Sequence, residues 1–199
     1  LIDEKGDLVN PSTLTALIAV RELKSQPGST IIYNLISSKA VAEVITENKG
    51  VGLRSRVGHS YIKSLMAESG AIFGGEHSGH FYFADFWRAD SGMLAALYAL
   101  AELMDSNKPL SNLLKPYNRY FSSGEINSKV KDVAKSIKAV EEKYQGKYQL
   151  DHLDGLTVTA DSWWFNLRPS NTEPLLRLNV EANTEKEMAM ITDTVLALL

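Results

Sequence analysis

Residues 30–57 of the chain read TIIYNLISSKAVAEVITENKGVGLRSRV, and their pattern indicates the class of fold. Both ends of this stretch, 30–36 and 51–57, predict strands. The segment between them, 38–49, predicts a helix that Gly50 closes. A strand, a helix and a second strand in this order are typical of a mostly parallel sheet covered by helices.

The same alternation of helix and strand extends to both sides of this stretch. A helix is predicted over 11–25, because Asn10 offers an N-cap and Pro11 suits the first helical position. The elements predicted downstream are a helix over 59–69, strands over 71–75 and 80–83, and a helix over 91–105. Residues 10–118 are therefore expected to form an α/β domain with a helix-covered mixed sheet.

The pattern changes near residue 119, where a second domain, 119–199, is expected to begin. The predicted elements are an extended stretch over 119–130, a helix over 132–144, a loop over 145–155, strands near 156–160, 163–168 and 175–181, and a last helix after the capping box that starts at Thr184. This order predicts a small α+β domain with an antiparallel sheet and two helices. Residues 1–9 resemble the turn and second arm of an incomplete hairpin, which we interpret as a remnant of a preceding domain.

Composition excludes several classes of protein. The net charge is −3 with no basic cluster, so nucleic acid is not an expected partner. No apolar run is long enough for a membrane helix and the amino terminus is unlike a signal, so no membrane partner is expected and a cytoplasmic location is predicted. The chain has no cysteine, which excludes disulfides and thiolate chemistry.

A glycine-rich loop, residues 74–80, carries the first set of candidate functional residues. Its glycines allow a ligand to approach the backbone, and Glu76 and Ser78 alternate so that both side chains can point the same way. A carboxylate that accepts hydrogen bonds from adjacent hydroxyls is a natural sugar-binding group. Two alternatives remain: a plain glycine-rich bend, and a zinc site built from Glu76, His77 and His80. A serine hydrolase is disfavoured, because Ser78 does not lie in a Gly-x-Ser-x-Gly motif.

An arginine loop, residues 168–174, carries the second set. Arg168 offers fork-like donors to a dianion, and a turn of small polar residues can form an anion-binding concavity. The small polar residues are Ser170, Asn171 and Thr172. The alternative is an ordinary hairpin loop with a surface arginine. Arg177, on the following strand, is expected to brace the loop rather than to bind the anion.

Three motifs, in this order, carry a family resemblance. Residues 57–63, Val-Gly-His-Ser-Tyr-Ile-Lys, resemble the segment that brings an active-site histidine into the cleft of the α-D-phosphohexomutases. Residues 75–80, Gly-Glu-His-Ser-Gly-His, resemble the sugar-binding loop of that family. The arginine loop, Arg-Pro-Ser-Asn-Thr-Glu-Pro, resembles its phosphate-binding loop. The nearest resemblance is to the phosphomannomutase/phosphoglucomutase branch.

The resemblance implies that the chain is the third and fourth of four domains, the fourth with a fold like that of the TATA-box-binding protein. The phosphoserine and the Asp-rich Mg²⁺ loop belong to the first two domains, so Mg²⁺ is expected in the parent enzyme and no metal ligand in this chain. The parent is expected to interconvert mannose 6-phosphate and mannose 1-phosphate, and also the glucose phosphates, through a bisphosphorylated sugar. The chain alone is expected to be inactive and to have as partners the hexose phosphates, the sugar bisphosphate and the missing N-terminal domains. The alternative is a non-catalytic sugar-phosphate binding module.

The resemblance also implies roles for particular residues. Glu76 and Ser78 would hold two sugar hydroxyls. The residues that would hold the phosphate that does not react are Arg168, Ser170, Asn171 and Thr172. His59 is the first candidate for proton transfer or orientation at the reacting hydroxyl, because imidazole can titrate near neutral pH, and His80 is the second. The chain departs from the family pattern at Ile36, where a lysine is common.

Overall fold

A computed structural model describes residues 1–170, 173 and 175–199 of the chain. These residues form two compact units, Leu1–Arg119 and Tyr120–Leu199. The first unit contains a mixed sheet with helices and the second an antiparallel sheet with two helices, which confirms the fold class expected from the sequence. No helix in the described part of the chain is long and apolar enough to cross a membrane.

The first unit is built on a five-stranded sheet in the order β2-β1-β3-β4-β5. Its elements are α1 (Pro11–Ser25), β1 (Thr30–Asn34), α2 (Lys39–Glu47), β2 (Val51–Ser55), α3 (His59–Ser69), β3 (Phe73–Gly75), β4 (Phe81–Phe83), β5 (Ala89–Asp90), α4 (Gly92–Ser106) and α5 (Leu110–Leu114). Strand β1 pairs in parallel with β2 and β3, whereas β4 and β5 are antiparallel to their neighbours. The glycine-rich loop follows the carboxyl end of β3, the edge at which open α/β sheets usually bind ligands.

Local signals explain where α1 begins and how closely it packs. The Asn10 side chain accepts a hydrogen bond from the Ser12 N–H at 2.8 Å, as the N-cap pattern predicts. Along the helix, Thr15 packs so closely on β3 that a Cβ at Gly75 would lie 2.3 Å from the Thr15 Oγ1. Only glycine leaves room for this approach, and it fixes the backbone directly before Glu76.

Residues 1–9 group with the first unit. Their ends meet in an isolated antiparallel bridge between Ile2 and Leu8, and a turn is closed by the hydrogen bond from the Gly6 N–H to the Asp3 carbonyl at 3.1 Å.

The second unit contains a five-stranded antiparallel sheet in the order β6-β10-β9-β8-β7. Its elements are β6 (Phe121–Lys129), α6 (Val133–Tyr144), β7 (Gln149–Asp151), β8 (Leu156–Thr159), β9 (Trp163–Pro169), β10 (Leu175–Ala182) and α7 (Glu185–Leu196). The sequence predicts a loop where β7 lies, and this prediction is wrong. A three-residue strand is too short to show an alternating pattern, and β7 is defined by its pairing with β8.

Alternation along β9 separates an apolar core from a polar face. Trp163, Phe165 and Leu167 belong to the buried core, while Asn166 and Arg168 point to the opposite face. The turn before β8 packs directly on β9, because Gly155 has φ of +72° and a Cβ there would lie 2.5 Å from the Leu167 carbonyl oxygen. This contact supports the β9 backbone at the position where Arg168 follows.

The contact between α1 and β3 leads to a stability prediction. Gly75→Ala is expected to lower the free energy of unfolding of the first unit by about 1–3 kcal/mol, because the new methyl group overpacks Thr15. Urea unfolding followed through the amide signals of β1 measures the change. The matched control is Gly92→Ala, where a Cβ meets nothing within 4 Å. We expect this control to change the free energy by less than about 0.5 kcal/mol or to raise it. Equal losses in both variants would contradict the prediction.

Candidate active site

The glycine-rich loop connects two antiparallel strands. Gly75 of β3 pairs with Phe81 of β4, and the loop between them is closed by a hydrogen bond from the Glu76 N–H to the His80 carbonyl at 2.9 Å. The Gly79 N–H also donates to the Glu76 carbonyl at 3.0 Å. The loop is therefore a short, hydrogen-bonded bend, and this bend holds a buried carboxylate.

That carboxylate belongs to Glu76, which is only 2% exposed. The Ser78 hydroxyl donates to its Oε2 at 3.0 Å, and the Tyr82 hydroxyl donates to its Oε1 at 3.2 Å. The structure thus brings Glu76 and Ser78 together, as the sequence predicts from their alternate positions. Each carboxylate oxygen can accept two hydrogen bonds, so Glu76 keeps acceptor capacity for the hydroxyls of a ligand.

Tyr82 connects this carboxylate to His59. The Tyr82 side chain is fully buried, and its Oη lies 2.5 Å from the His59 Nδ1. Burial and then the negative charge of Glu76 raise the pKa of Tyr82 far above its ordinary value, so the phenol stays neutral. Because its single proton is donated to Glu76, Tyr82 can only accept from His59. This assigns the ring proton of neutral His59 to Nδ1 and leaves Nε2 as the basic nitrogen.

His59 and His80 lie side by side. His59 is the first residue of α3 and is exposed, and its ring centroid lies 4.3 Å from that of His80 with an interplanar angle of 68°. The His80 Nδ1 lies 2.6 Å from the Asp90 Oδ2, and the Asp90 Oδ1 accepts the Phe81 N–H at 2.9 Å. The two histidines proposed from the sequence therefore occupy one surface, each with one ring nitrogen held by a neighbour.

His77 contacts residues other than the two histidines described above. Its Nδ1 lies 2.9 Å from the Ser12 Oγ, and its backbone N–H donates to the Asn34 Oδ1 at 3.4 Å. The zinc set considered from the sequence, Glu76, His77 and His80, is therefore not the group that the fold gathers. Within the described ranges, the ligand-type side chains close enough to share an ion are His59, His80 and Asp90.

In the second unit, Arg168 is only 4% exposed. Its Nη2 donates to the Glu125 Oε2 at 2.9 Å, while its Nε has no hydrogen-bond partner in the part of the chain that the structure describes. Burial lowers the pKa of Arg168, although an arginine remains protonated at any physiological pH. Arg168 is thus a buried cation rather than the surface arginine of the alternative interpretation.

Arg177 supports the same region. It lies opposite Arg168 in the register of β9 and β10, and its Nη2 donates to the Ser170 Oγ at 3.2 Å. Its Nη1 also lies 3.4 Å from the Glu125 Oε1, so one carboxylate pairs with both arginines. The contact with Ser170 agrees with the bracing role expected from the sequence. Asn171 and Thr172, two further candidate phosphate-binding residues, lie outside the described residues.

Sequence reasoning missed three residues at these sites: Tyr82, Asp90 and Glu125. Tyr82 lies within an aromatic run, residues 81–83, which by itself predicts core packing, and its alternation with His80 was the available signal. The sequence around Asp90 and Glu125 contains no pattern that marks them as site residues. Each acts through a partner far away in the sequence, which strand pairing brings close, and this pairing cannot be read from a single sequence.

Comparison with known proteins identifies the family. The family described as phosphoglucomutase/phosphomannomutase, alpha/beta/alpha domain III, matches residues 10–120, and the C-terminal domain of the same family matches residues 125–198. The chain belongs to the phosphoglucomutase/phosphomannomutase family. Both matches confirm the resemblance to the third and fourth domains of the phosphohexomutases.

Individual phosphohexomutases resemble the chain over nearly all of its length. A phosphomannomutase of Methanocaldococcus jannaschii is 45% identical over 94% of the chain, and one of Escherichia coli K12 is 38% identical over 100% of it. The chain spans 42% and 44% of these two relatives. The crystal structure of a phosphoglucomutase/phosphomannomutase family protein from Burkholderia thailandensis resembles the chain with a TM-score of 0.87 and 29% identity. The match covers 100% of this chain and 43% of the Burkholderia chain.

The contact between Tyr82 and His59 predicts a spectroscopic change. In the unmodified chain, neutral His59 is expected to carry its proton on Nδ1, because Tyr82 accepts that proton. Tyr82→Phe removes the acceptor and is expected to raise the population of the Nε2–H tautomer. Long-range ¹H–¹⁵N correlation spectra of the histidine rings distinguish the two forms.

The matched control for this measurement is Tyr98→Phe. The Tyr98 hydroxyl donates to the Glu22 carboxylate in the same unit, so the control removes an equivalent tyrosine–carboxylate hydrogen bond at another place. The His59 signals should stay unchanged in this variant. A His59 tautomer that is the same in all three proteins would show that Tyr82 does not determine it.

Proposed function

We propose that the chain is the sugar- and phosphate-recognising part of a phosphohexomutase that interconverts mannose 6-phosphate and mannose 1-phosphate, with the glucose phosphates as further substrates. Membership of the phosphoglucomutase/phosphomannomutase family supports the reaction class. The observation that carries the proposal is the buried Glu76 carboxylate beside the paired histidines His59 and His80.

Glu76 is proposed to bind sugar hydroxyls. It already accepts hydroxyl protons from Ser78 and Tyr82, so the site is built for this type of donor. A hydrogen bond between a hydroxyl and a charged carboxylate is roughly twice as strong as one between neutral groups. A sugar that presents two adjacent hydroxyls would add to these bonds or replace the one from Ser78, which is exposed.

His59 is proposed to move the proton of the reacting hydroxyl. When a phosphoryl group is transferred to a sugar oxygen, the hydroxyl proton must leave that oxygen, and a neutral imidazole nitrogen can accept it. The Nε2 of His59 supplies such a nitrogen, because Nδ1 is engaged with Tyr82. In the reverse transfer the same nitrogen returns the proton. The His80 ring contacts the His59 ring, and His80 is the second candidate for moving this proton.

The arginine loop is proposed to hold the phosphate that does not react. Arg168 is buried and charged, its Nε has no partner among the residues that the structure describes, and Glu125, which Arg177 also contacts, restricts its position. An arginine held in place binds a phosphate with little further loss of freedom, which favours recognition. Ser170 is held by Arg177, and Asn171 and Thr172 follow it in the chain.

The phosphoryl donor and the metal are proposed to lie outside this chain, in the preceding domains of the family. Mg²⁺ prefers an octahedral set of oxygen ligands. The one ligand-type group found within the described residues contains two imidazoles and a carboxylate, which does not fit this preference. The chain's own contribution is therefore recognition, orientation and movement of the proton.

The isolated chain is expected to bind hexose phosphates weakly. We expect a Kd on the order of 1 mM, equivalent to about −4 kcal/mol, for mannose 1-phosphate and mannose 6-phosphate, and no binding of free mannose at the arginine loop. Backbone amide shifts at Arg168 and Ser170 report the binding. Arg168→Ala should abolish these shifts because the dianion loses its buried cation.

The control for this measurement is Arg119→Ala, which removes another carboxylate-paired arginine, the partner of Glu43 and Glu47 in the first unit. Binding at the arginine loop should be unchanged in this variant. Shifts that persist in Arg168→Ala would favour the hairpin-loop interpretation. Mutase turnover by the chain alone would contradict the proposed division of roles.

In a mutase that contains this chain and the preceding domains, Glu76→Gln is expected to lower kcat/KM for both hexose phosphates. The loss of charge-assisted hydrogen bonds costs about 1.5–3 kcal/mol, or about 10- to 150-fold. The control is Glu22→Gln, because Glu22 is a buried carboxylate that accepts from Tyr98 in the same unit. We expect the control to retain activity. Unchanged kcat/KM in Glu76→Gln would make Glu76 a structural residue of the bend.

A further inference from the structure

Two imidazoles and a carboxylate meet at one surface of the first unit. His59, His80 and Asp90 each offer a ligand atom, and these atoms all lie within 4.8 Å of one another. Two ligands of one tetrahedral zinc ion are about 3.3 Å apart, given bonds of about 2.0–2.1 Å. Small side-chain rotations would therefore bring the three atoms to a single ion.

The donor set suits zinc better than the other common metal ions. Mg²⁺ and Ca²⁺ bind oxygen ligands, whereas imidazole is a preferred ligand of Zn²⁺ and other late first-row ions. Two histidines and one carboxylate, with a further position open, form a known type of zinc site. All three side chains are exposed or half-buried, so an ion can reach them from solvent.

Neighbouring groups already orient two of the three ligands. A zinc-binding histidine usually has its second ring nitrogen hydrogen-bonded, and the His59 Nδ1 is held by Tyr82. Tyr82 is in turn bonded to Glu76, so His59 has a supported ring with Nε2 directed away from that contact. The Asp90 Oδ1 accepts the Phe81 N–H, which leaves Oδ2 for an ion.

The third ligand, His80, requires one rearrangement. Its Nδ1 and the Asp90 Oδ2 are 2.6 Å apart, as a hydrogen-bonded pair. An ion between them replaces that shared proton and needs the two atoms to separate by less than about 1 Å.

We propose that His59, His80 and Asp90 form a Zn²⁺ site, and that the bound ion occupies the Nε2 of His59 and so blocks proton transfer. The inhibitory part rests on the function proposed above, whereas the site itself does not. This site shares only His80 with the zinc site considered from the sequence, which contained Glu76 and His77 instead of His59 and Asp90. From the sequence, no metal ligand is expected in this chain, and the proposed site differs from that expectation. Zinc would then be an inhibitor of the reaction and not its cofactor.

Titration of the 199-residue chain with Zn²⁺, followed by calorimetry, tests the site. We expect saturable binding of one ion, and at least tenfold weaker binding in His59→Gln, His80→Gln and Asp90→Asn. The controls are His77→Gln and His152→Gln, which remove the two other histidines, one bonded to Ser12 and one 3.4 Å from Glu141. Both controls should bind zinc as the unmodified chain does.

Two further measurements make the assignment specific. Substitution with Co²⁺ should give the intense visible absorption of a four- or five-coordinate ion, and Asp90→Asn should weaken it. Amide spectra of each variant establish that it is folded. Absence of saturable zinc binding, binding that His77→Gln or His152→Gln weakens tenfold, or binding unaffected by the three substitutions would overturn the site.

The inhibitory role has its own test in the mutase that contains the preceding domains. Zinc inhibition that His80→Gln and Asp90→Asn relieve would support it. If zinc binds at the site without any loss of turnover, the proposed zinc site is supported but the role of His59 as the proton carrier is contradicted. The failure of the site and the failure of the proposed function are thus distinguished.

Discussion

Burial of the Glu76 carboxylate is the constraint on which the first unit's site depends. A charge removed from water is tolerated only when hydrogen-bond donors surround it, and Ser78 and Tyr82 supply them. The Tyr82 hydroxyl has one proton and donates it to Glu76, so the Tyr82 oxygen can only accept a hydrogen bond from His59. This determines that Nδ1 is the ring nitrogen of neutral His59 that carries the proton. One buried charge therefore fixes a tyrosine, a histidine tautomer and the position of a basic nitrogen.

The second unit uses the same principle with the opposite charge. Arg168 is buried on the polar face of the antiparallel sheet, and the carboxylate of Glu125 partly compensates its charge. Arg177 shares that carboxylate and contacts Ser170, so Glu125 joins the two arginines. Among the described residues the Arg168 Nε has no hydrogen-bond partner, and a charged N–H donor of this kind suits an anion. In both units, hydrogen bonds from neighbouring side chains hold a buried charged residue in place.

Much of the fold could be predicted from local signals. The predicted bounds of α1 agree with the structure, because Asn10, Pro11 and the following Pro27 act within a few residues of the helix ends. The strand β7 could not be predicted, since three residues carry no periodicity and the strand exists through its pairing with β8. Asp90 and Glu125 were missed for a related reason: their partners lie in other parts of the chain, which only the pairing of the strands brings close.

The sequence by itself determined the order of the helices and of the strands other than β5 and β7, the two loops that carry the candidate residues, and the family to which the three motifs point. These features depend on residue type and on spacing along the chain. Only the tertiary structure decided that His59 lies against His80 and Tyr82 rather than beside His77, and that Arg168 is a buried cation held by Glu125. Such contacts join residues of different elements, and their geometry is set by strand register and by the close approach of α1 to Gly75.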